Sequence, residues 1–262
     1  MPTVQDVENA LFRLAPRELA APWDNVGLLV GDPDRRVSRV LVALDITPDV
    51  VREAIHGEFD LIVAHHPVMN IHWHEHELRT LRADTRLGGL LLEMVKGGVS
   101  AICMHTNLDA AQGGVNDTLA ARLGLDEVEM LGDGDGVGRI GLLPSPMSLT
   151  EFLSLVRKRL RPNGMRYAVG GKTVHRVAVG GGACGDCFEQ AITRGCDTFV
   201  TADVKYNQFL DASVQGLSLI DAGHFPTEDV VCPVVAGYLE EQFPDLSVGK
   251  SAIHREIIQY YI

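Results

Sequence analysis

Short β-branched apolar runs that alternate with helical periodicity constrain this chain more than any other feature. Arg39–Leu44 (RVLVAL) is compact and apolar, and it predicts a buried strand. The run ends at Asp45. Thr47-Pro48 then opens a helix that continues through Asp49–Ile55, with Thr47 as the cap and Pro48 at the first helical position. The unit recurs. Phe59–Ala64 predicts a strand that ends at His65-His66-Pro67, Leu87–Lys96 a helix stopped by Gly97-Gly98, and Val99–Met104 a strand that ends at His105. Val115–Leu123 predicts a further helix, with Gly124 as its C-terminal stop. Strands alternating with helices imply crossover connections and a mainly parallel sheet.

Outside this run, Val4–Leu14 has helical apolar spacing. Asp126–Gly138, acidic and glycine-rich, reads as a linker or domain crossing. Arg139–Leu143 predicts a strand, and Ser148-Leu149-Thr150-Glu151 is a capping box for a helix through Leu160. Arg166–Val169 and Lys172–Val179 around Gly170-Gly171 predict a hairpin. Three strand–helix units follow: Val177–Val179 into Cys187–Thr193, Thr198–Thr201 into Asn207–Ala212, and Leu217–Ile220 into Asp229–Gln242. The last expected strand is His254–Tyr260.

Bulk properties narrow the class. The 262 residues suffice for one large or two modest domains, and the hydrophobic and charged fractions are those of a globular protein. With 23 basic and 35 acidic residues the formal charge is −12, which argues against nucleic acid as a partner. The densest basic run, Arg157, Lys158, Arg159 and Arg161, reads as a solvated helix face. No apolar run is long enough to cross a bilayer, and Met1–Leu14 does not read as a signal peptide. Five cysteines without a disulfide framework fit a reducing compartment, so a cytoplasmic location without membrane contact is expected.

Ligands in open α/β sheets collect at the C-terminal ends of strands. Here those ends carry Asp45; His65 and His66; His105, Asn107 and Asp109; and Asp221, His224 and Glu228. Imidazole nitrogen and carboxylate oxygen are ligands for divalent metals. Adjacent residues on an extended segment face opposite ways, so His65 and His66 suit two metals better than one, and a carboxylate such as Glu228 could bridge them. Taken singly, each has a plainer reading: a capped loop, a turn former at Asp109, a helix-start acid at Glu228. Their shared placement favours the metal.

Other motifs compete. Gly180, Gly182 and Gly185 fit G-x-G-x-x-G, with Asp203 at a ribose-like distance, although a glycine loop for close packing is the plainer reading. Cys184-Gly185-Asp186-Cys187 is a single C-x-x-C, weak for zinc and a candidate for redox chemistry. His72, His74 and His76 alternate and could bind a surface metal if that segment were extended, although a solvated loop is the plainer reading. Asp24 and Asn25 could reach a substrate, although capping the turn before Gly27 is the plainer reading.

Seven stretches together resemble the dinuclear-metal-centre family of GTP cyclohydrolase I type 2 homologues, the interacting-factor-3-like proteins. They are Trp23–Gly31 (WDNVGLLVG), Leu44–Pro48, Ala64–Val68 (AHHPV), His105–Asp117 (HTNLDAAQGGVND), Val179–Gly182, Thr201–Tyr206 (TADVKY) and Gly223–Glu228 (GHFPTE). The resemblance implies two linked α/β domains with mainly parallel or mixed sheets and a dinuclear site at strand C-terminal ends. On this reading residues 1–128 with 221–262 form the metal-binding domain, and 129–220 the second. The resemblance puts the ligands at His65, His66, Asp109, His224 and Glu228, with Glu228 touching both metals and His105 close by. It also implies a ring-shaped homohexamer of the short form, without an inserted mid-chain domain. The chain departs from the family at Tyr206 and Asn207, where histidine is common, which puts in doubt any role carried over to that loop.

The expected function is metal-dependent hydrolysis of a nucleotide or other small molecule. Two divalent cations (zinc, iron, manganese or cobalt) would lower the pKa of a shared water, with His105 or Asp45 orienting groups or relaying protons. The resemblance suggests opening of the guanine imidazole ring of GTP with release of formate. The alternatives are a non-enzymatic metal-handling or scaffold protein, and a phosphoester hydrolase.

Overall fold

The computed structural model describes residues 1–70, 80–132, 136–171 and 173–261. The histidine segment 72–76 and part of the acidic glycine loop lie outside them. In chain order the regular elements are α1 (Val4–Leu14), β1 (Gly27–Val30), β2 (Arg39–Ala43), α2 (Pro48–His56), β3 (Leu61–Ala64), α3 (Arg86–Gly97), β4 (Ser100–Cys103), α4 (Thr106–Ala110), α5 (Val115–Leu123), β5 (Asp126–Met130) and β6 (Arg139–Met147). Next come α6 (Leu149–Leu160), β7 (Arg166–Ala168), β8 (Val174–Val179), α7 (Phe188–Thr193), β9 (Thr198–Thr201), α8 (Tyr206–Val214), β10 (Ser218–Asp221), α9 (His224–Glu228), α10 (Cys232–Gln242) and β11 (Ser247–Lys250). They divide into two compact units: residues 1–111 with 232–254, and residues 112–231 with 255–262.

The first unit is built on a five-stranded mixed sheet, β1-β4-β3-β2-β11. Strands β4, β3, β2 and β11 run parallel, so the residues after β2, β3 and β4 share one edge, and β1 joins antiparallel to β4. Leu41, Ala43, Ile62, Ala64, Ala101 and Cys103 pack on α2 and α3, while Val40, Val42, Leu61, Val63 and Ile102 are buried as well. Burial on both faces explains why these strands read as continuous apolar runs rather than alternating ones. Local signals set the helix ends. Thr47 and Thr85 accept backbone N–H groups at the starts of α2 and α3, and Gly98 adopts the left-handed conformation that stops α3.

The second unit has a six-stranded mixed sheet, β5-β6-β8-β9-β10-β7. The period of two is explicit here. Val179, Val200 and Ile220 join Phe152 and Val156 of α6 on one face, while Ala178, Phe199 and Leu219 join Phe188 of α7 and Ala212 of α8 on the other. The capping box at Ser148 and Glu151 forms as its sequence predicts. Arg157, Lys158 and Arg159 are exposed in the last turn of α6, where positive charge favours the helix end.

Three expectations are corrected. Arg166–Val169 and Lys172–Val179 do not form a hairpin: β7 pairs with β10, and β8 with β6 and β9. Gly170 sits against the Leu217–Ser218 backbone, leaving no room for a side chain, and its N–H donates to Ser218 Oγ. Its glycine therefore serves close approach rather than a two-residue turn. The presumed crossing after Gly124 contains β5, an edge strand whose residues are all exposed. Its acidic side chains suit a sheet edge, and that polarity hides it from an apolar-run reading. The described part of 254–260 is not a strand; the terminal strand is β11, parallel to β2.

One ion pair makes a direct stability prediction. Arg139 on β6 is buried, with Nε donating to Asp117 Oδ1 of α5 at 2.5 Å and Nη1 donating to the carbonyls of Gly136 and Gly138. Arg139→Met keeps the apolar stem and strips Asp117 of its cation. Breaking a buried pair on one side costs about 3–5 kcal/mol. Because Asp117 keeps some exposure, a loss near 3 kcal/mol is expected in urea unfolding. A loss under about 1 kcal/mol would show the pair to be solvent-screened.

Candidate metal centre

In the first unit, sheet hydrogen bonding continues past β2, β3 and β4. The N–H groups of His65 and His66 donate to the Ala43 and Leu44 carbonyls, and the Met104 N–H donates to that of Ala64. This pins three histidines at one edge. The candidate ligand atoms of His65, His66 and His105 lie within 4.8 Å of one another, and their ring centroids are 4.9–5.6 Å apart. Asp109, on α4, brings Oδ1 to 3.6 Å from His65 Nε2.

Each ring is oriented through its Nδ1. That of His65 lies 2.8 Å from the Met104 carbonyl, that of His66 2.7 Å from Asp45 Oδ1, and that of His105 2.9 Å from Asp24 Oδ1. A proton on Nδ1, held by an oxygen, leaves Nε2 with its lone pair, the tautomer a metal-ligating histidine needs. Asp45 is shared, with Oδ2 2.9 Å from His254 Nε2. Burial alone would raise its pKa, but His254 and His66 outweigh that and hold the carboxyl well below the usual range. Asp24 behaves likewise. Against its burial, His105 and the N–H and hydroxyl of Thr106 lower its pKa to about 2. Trp23 meets the His105 ring edge-on, with centroids 6.0 Å apart.

The second unit supplies a second cluster. After β10, Gly223 turns the chain into α9, which carries His224 and Glu228 one helical turn apart, with His224 Nε2 3.0 Å from Glu228 Oε2. His224 Nδ1 is 2.6 Å from Asp203 Oδ2. Asp203 holds a left-handed backbone (φ 53°), which a short polar residue tolerates at modest cost. Burial would lower the His224 pKa, but Asp203 and Glu228 outweigh it and push it up to about 11. That potential favours positive charge at the position between Nε2 and the buried Glu228.

The Gly180–Gly182 loop belongs to this cluster. Gly182 has φ 61°, and a Cβ there would run into Glu228 Oε1; its N–H donates to Thr227 Oγ1 at 3.0 Å. Gly181 and Gly182 thus serve close packing on Glu228 and Gly180 on Cys184, the plainer of the two sequence readings, and Asp203 is committed to His224.

The strand-end residues therefore separate by role. His65, His66, His105 and Asp109 gather in one unit, and His224 and Glu228 in the other. Asn107 turns away to donate to the Ala15 carbonyl, and Asp221 holds Arg166 and the Val204 N–H. The oxygen partners Asp24 and Asp203, and His254 behind Asp45, were not singled out as partners in the sequence; Asp24 read there as a turn former. Imidazole and carboxylate donors, with the other ring nitrogens held by oxygen, fit zinc, iron, manganese or cobalt. Among the described residues no helix is long and apolar enough to cross a membrane.

The family model Duf34/NIF3 (NGG1p interacting factor 3) matches residues 2–256. The chain belongs to this family. All five proposed ligands fall within the matched span. Within the Duf34/NIF3 family, a Streptomyces coelicolor protein named GTP cyclohydrolase 1 type 2 homolog is 35% identical, over 92% of this chain and 87% of its own length. A Clostridium acetobutylicum protein of the same name is 34% identical, over 86% and 85%. The crystal structure of a Bacillus cereus protein related to NIF3 superposes with a TM-score of 0.91 at 24% identity, covering 100% of this chain and 99% of that one, and supports the two-unit mixed α/β fold.

Proposed function

We propose that His65, His66, Asp109, His224 and Glu228 hold two divalent metal ions, with Glu228 as the bridge, and that the protein is a metal-dependent hydrolase. The observation that carries this reading is the set of four histidines whose Nδ1 atoms are each held by a carbonyl or carboxylate oxygen. When bound, divalent cations would make hydroxide available near neutral pH. On this reading His105, held by Asp24, accepts or returns a proton in the reaction. Asp45 orients His66 and links it to His254.

The name that these relatives carry supports a GTP cyclohydrolase-type reaction, the hydrolytic release of formate from the guanine imidazole ring. The test is formate release from GTP by metal-replete protein, in parallel with the Glu228→Ala variant. Release by the wild type and not the variant supports the reading. Inactivity of the wild type on GTP and on nucleotide and phosphoester panels would replace it with a non-enzymatic metal-handling role. The same reading takes the chain to be a cytoplasmic homo-oligomer, a hexamer by the family resemblance, and light scattering should then give six times the chain mass.

A further inference from the structure

The turn after β8 carries two thiols that the metal reading does not use. Cys184 Sγ lies 3.1 Å from Cys187 Sγ, and the Cys187 N–H donates to the Cys184 carbonyl at 3.0 Å, closing the turn that apposes them. Cys184 is buried and Cys187 half-buried, so Cys187 is the more accessible residue of the pair. The remaining cysteines are buried thiols. Burial pushes Cys103 up to about 12 and Cys196 up to about 11, which suppresses the reactive thiolate there. Among the described residues, neither Cys184 nor Cys187 belongs to a set of three donors close enough to share a metal.

The turn is also tied to the loop that abuts Glu228. The Cys184 N–H donates to the Gly182 carbonyl at 2.9 Å, which also accepts the Ala202 N–H at 3.0 Å. A Cβ on Gly180 would stand 2.7 Å from Cys184 Cβ and Sγ, so this loop has no slack against the cysteine. Asp186, between the thiols, accepts from Gln208 Nε2 at 2.7 Å.

We propose that Cys184 and Cys187 form a reversible dithiol–disulfide site, oxidised by a hydroperoxide, whose closure shifts the Gly180–Gly182 loop. The Cys187 thiolate attacks the peroxide: an S–O bond forms, the O–O bond breaks, and the leaving oxygen is protonated to an alcohol or water. The Cys184 sulfur then attacks that sulfenic acid, forming the S–S bond while the S–O bond breaks. The departing hydroxide takes the Cys184 proton and leaves as water. Two thiols together lose two electrons and the peroxide gains them. A dithiol reverses the step by exchange. Closing the bond draws the sulfurs together by about 1 Å, which the taut loop must absorb.

The test is mass spectrometry of the full chain, treated with stoichiometric hydrogen peroxide and then unfolded and alkylated. The expected result is an internal disulfide in the peptide bearing Cys184 and Cys187, reversed by dithiothreitol, with Cys103, Cys196 and Cys232 still alkylated. In Cys184→Ser, Cys187 should stop at the sulfenic acid and be trapped by dimedone. Full alkylation of both thiols after peroxide, or oxidation spread evenly over all five cysteines, overturns the site. Amide hydrogen exchange reads the loop: oxidation should speed exchange at Gly182 and Ala202 about tenfold or more. Unchanged exchange with the disulfide formed overturns the link to the loop. Neither arm requires metal, so failure here leaves the dinuclear reading untouched.

Discussion

Glu228→Gln is expected to strip the protein of most of its metal while leaving it folded. The substitution is isosteric, so packing against Gly182 survives. What disappears is a negative charge at a buried position. A bridging carboxylate serves both cations, so its neutralisation weakens both positions at once, and metal content should fall from about two per chain to well below one. Asp203→Asn should act more gently. It leaves every proposed ligand in place but loosens the His224 ring, a change that costs about 10–100-fold in metal affinity. Elemental analysis after desalting, with circular dichroism as the folding control, reads both. Full metal content in Glu228→Gln would remove Glu228 from the role of bridge.

The second large effect is expected at His105. If it moves the proton, His105→Gln should lower the rate of formate release by about 10²–10⁴-fold, with metal content close to wild type. Asp24→Asn should lower it less, because the ring remains but its orientation and tautomer are no longer fixed. The loss should fall on kcat rather than KM. An equal loss of metal and activity in His105→Gln would instead make His105 a ligand.

What the sequence made legible follows from the range of the interaction. Helices α1, α5 and α6 were legible because their signals act within a few positions: apolar spacing for α1, the Gly124 stop for α5 and the Ser148–Glu151 capping box for α6. The parallel strands were legible as apolar runs because both sheet faces are covered. That in turn put His65, His66 and His105 on one edge. Strand β5 was not legible, since an exposed edge strand has no apolar pattern to betray it. Nor was the β7 pairing, because its partner β10 lies some fifty residues on and the intervening glycines imitate a turn. The oxygen partners escaped for the same reason. Asp24 reaches His105 across 81 residues, Asp203 reaches His224 across 21, and His254 reaches Asp45 across 209. No local spacing rule encodes such contacts, whereas the histidines they orient announce themselves at strand ends.

The most direct measurement of the central claim is the metal-to-chain ratio of wild-type protein purified without chelator, set beside His65→Ala. The dinuclear account predicts about two divalent ions per wild-type chain and a clear drop in the variant. A ratio near zero in the wild type would contradict it.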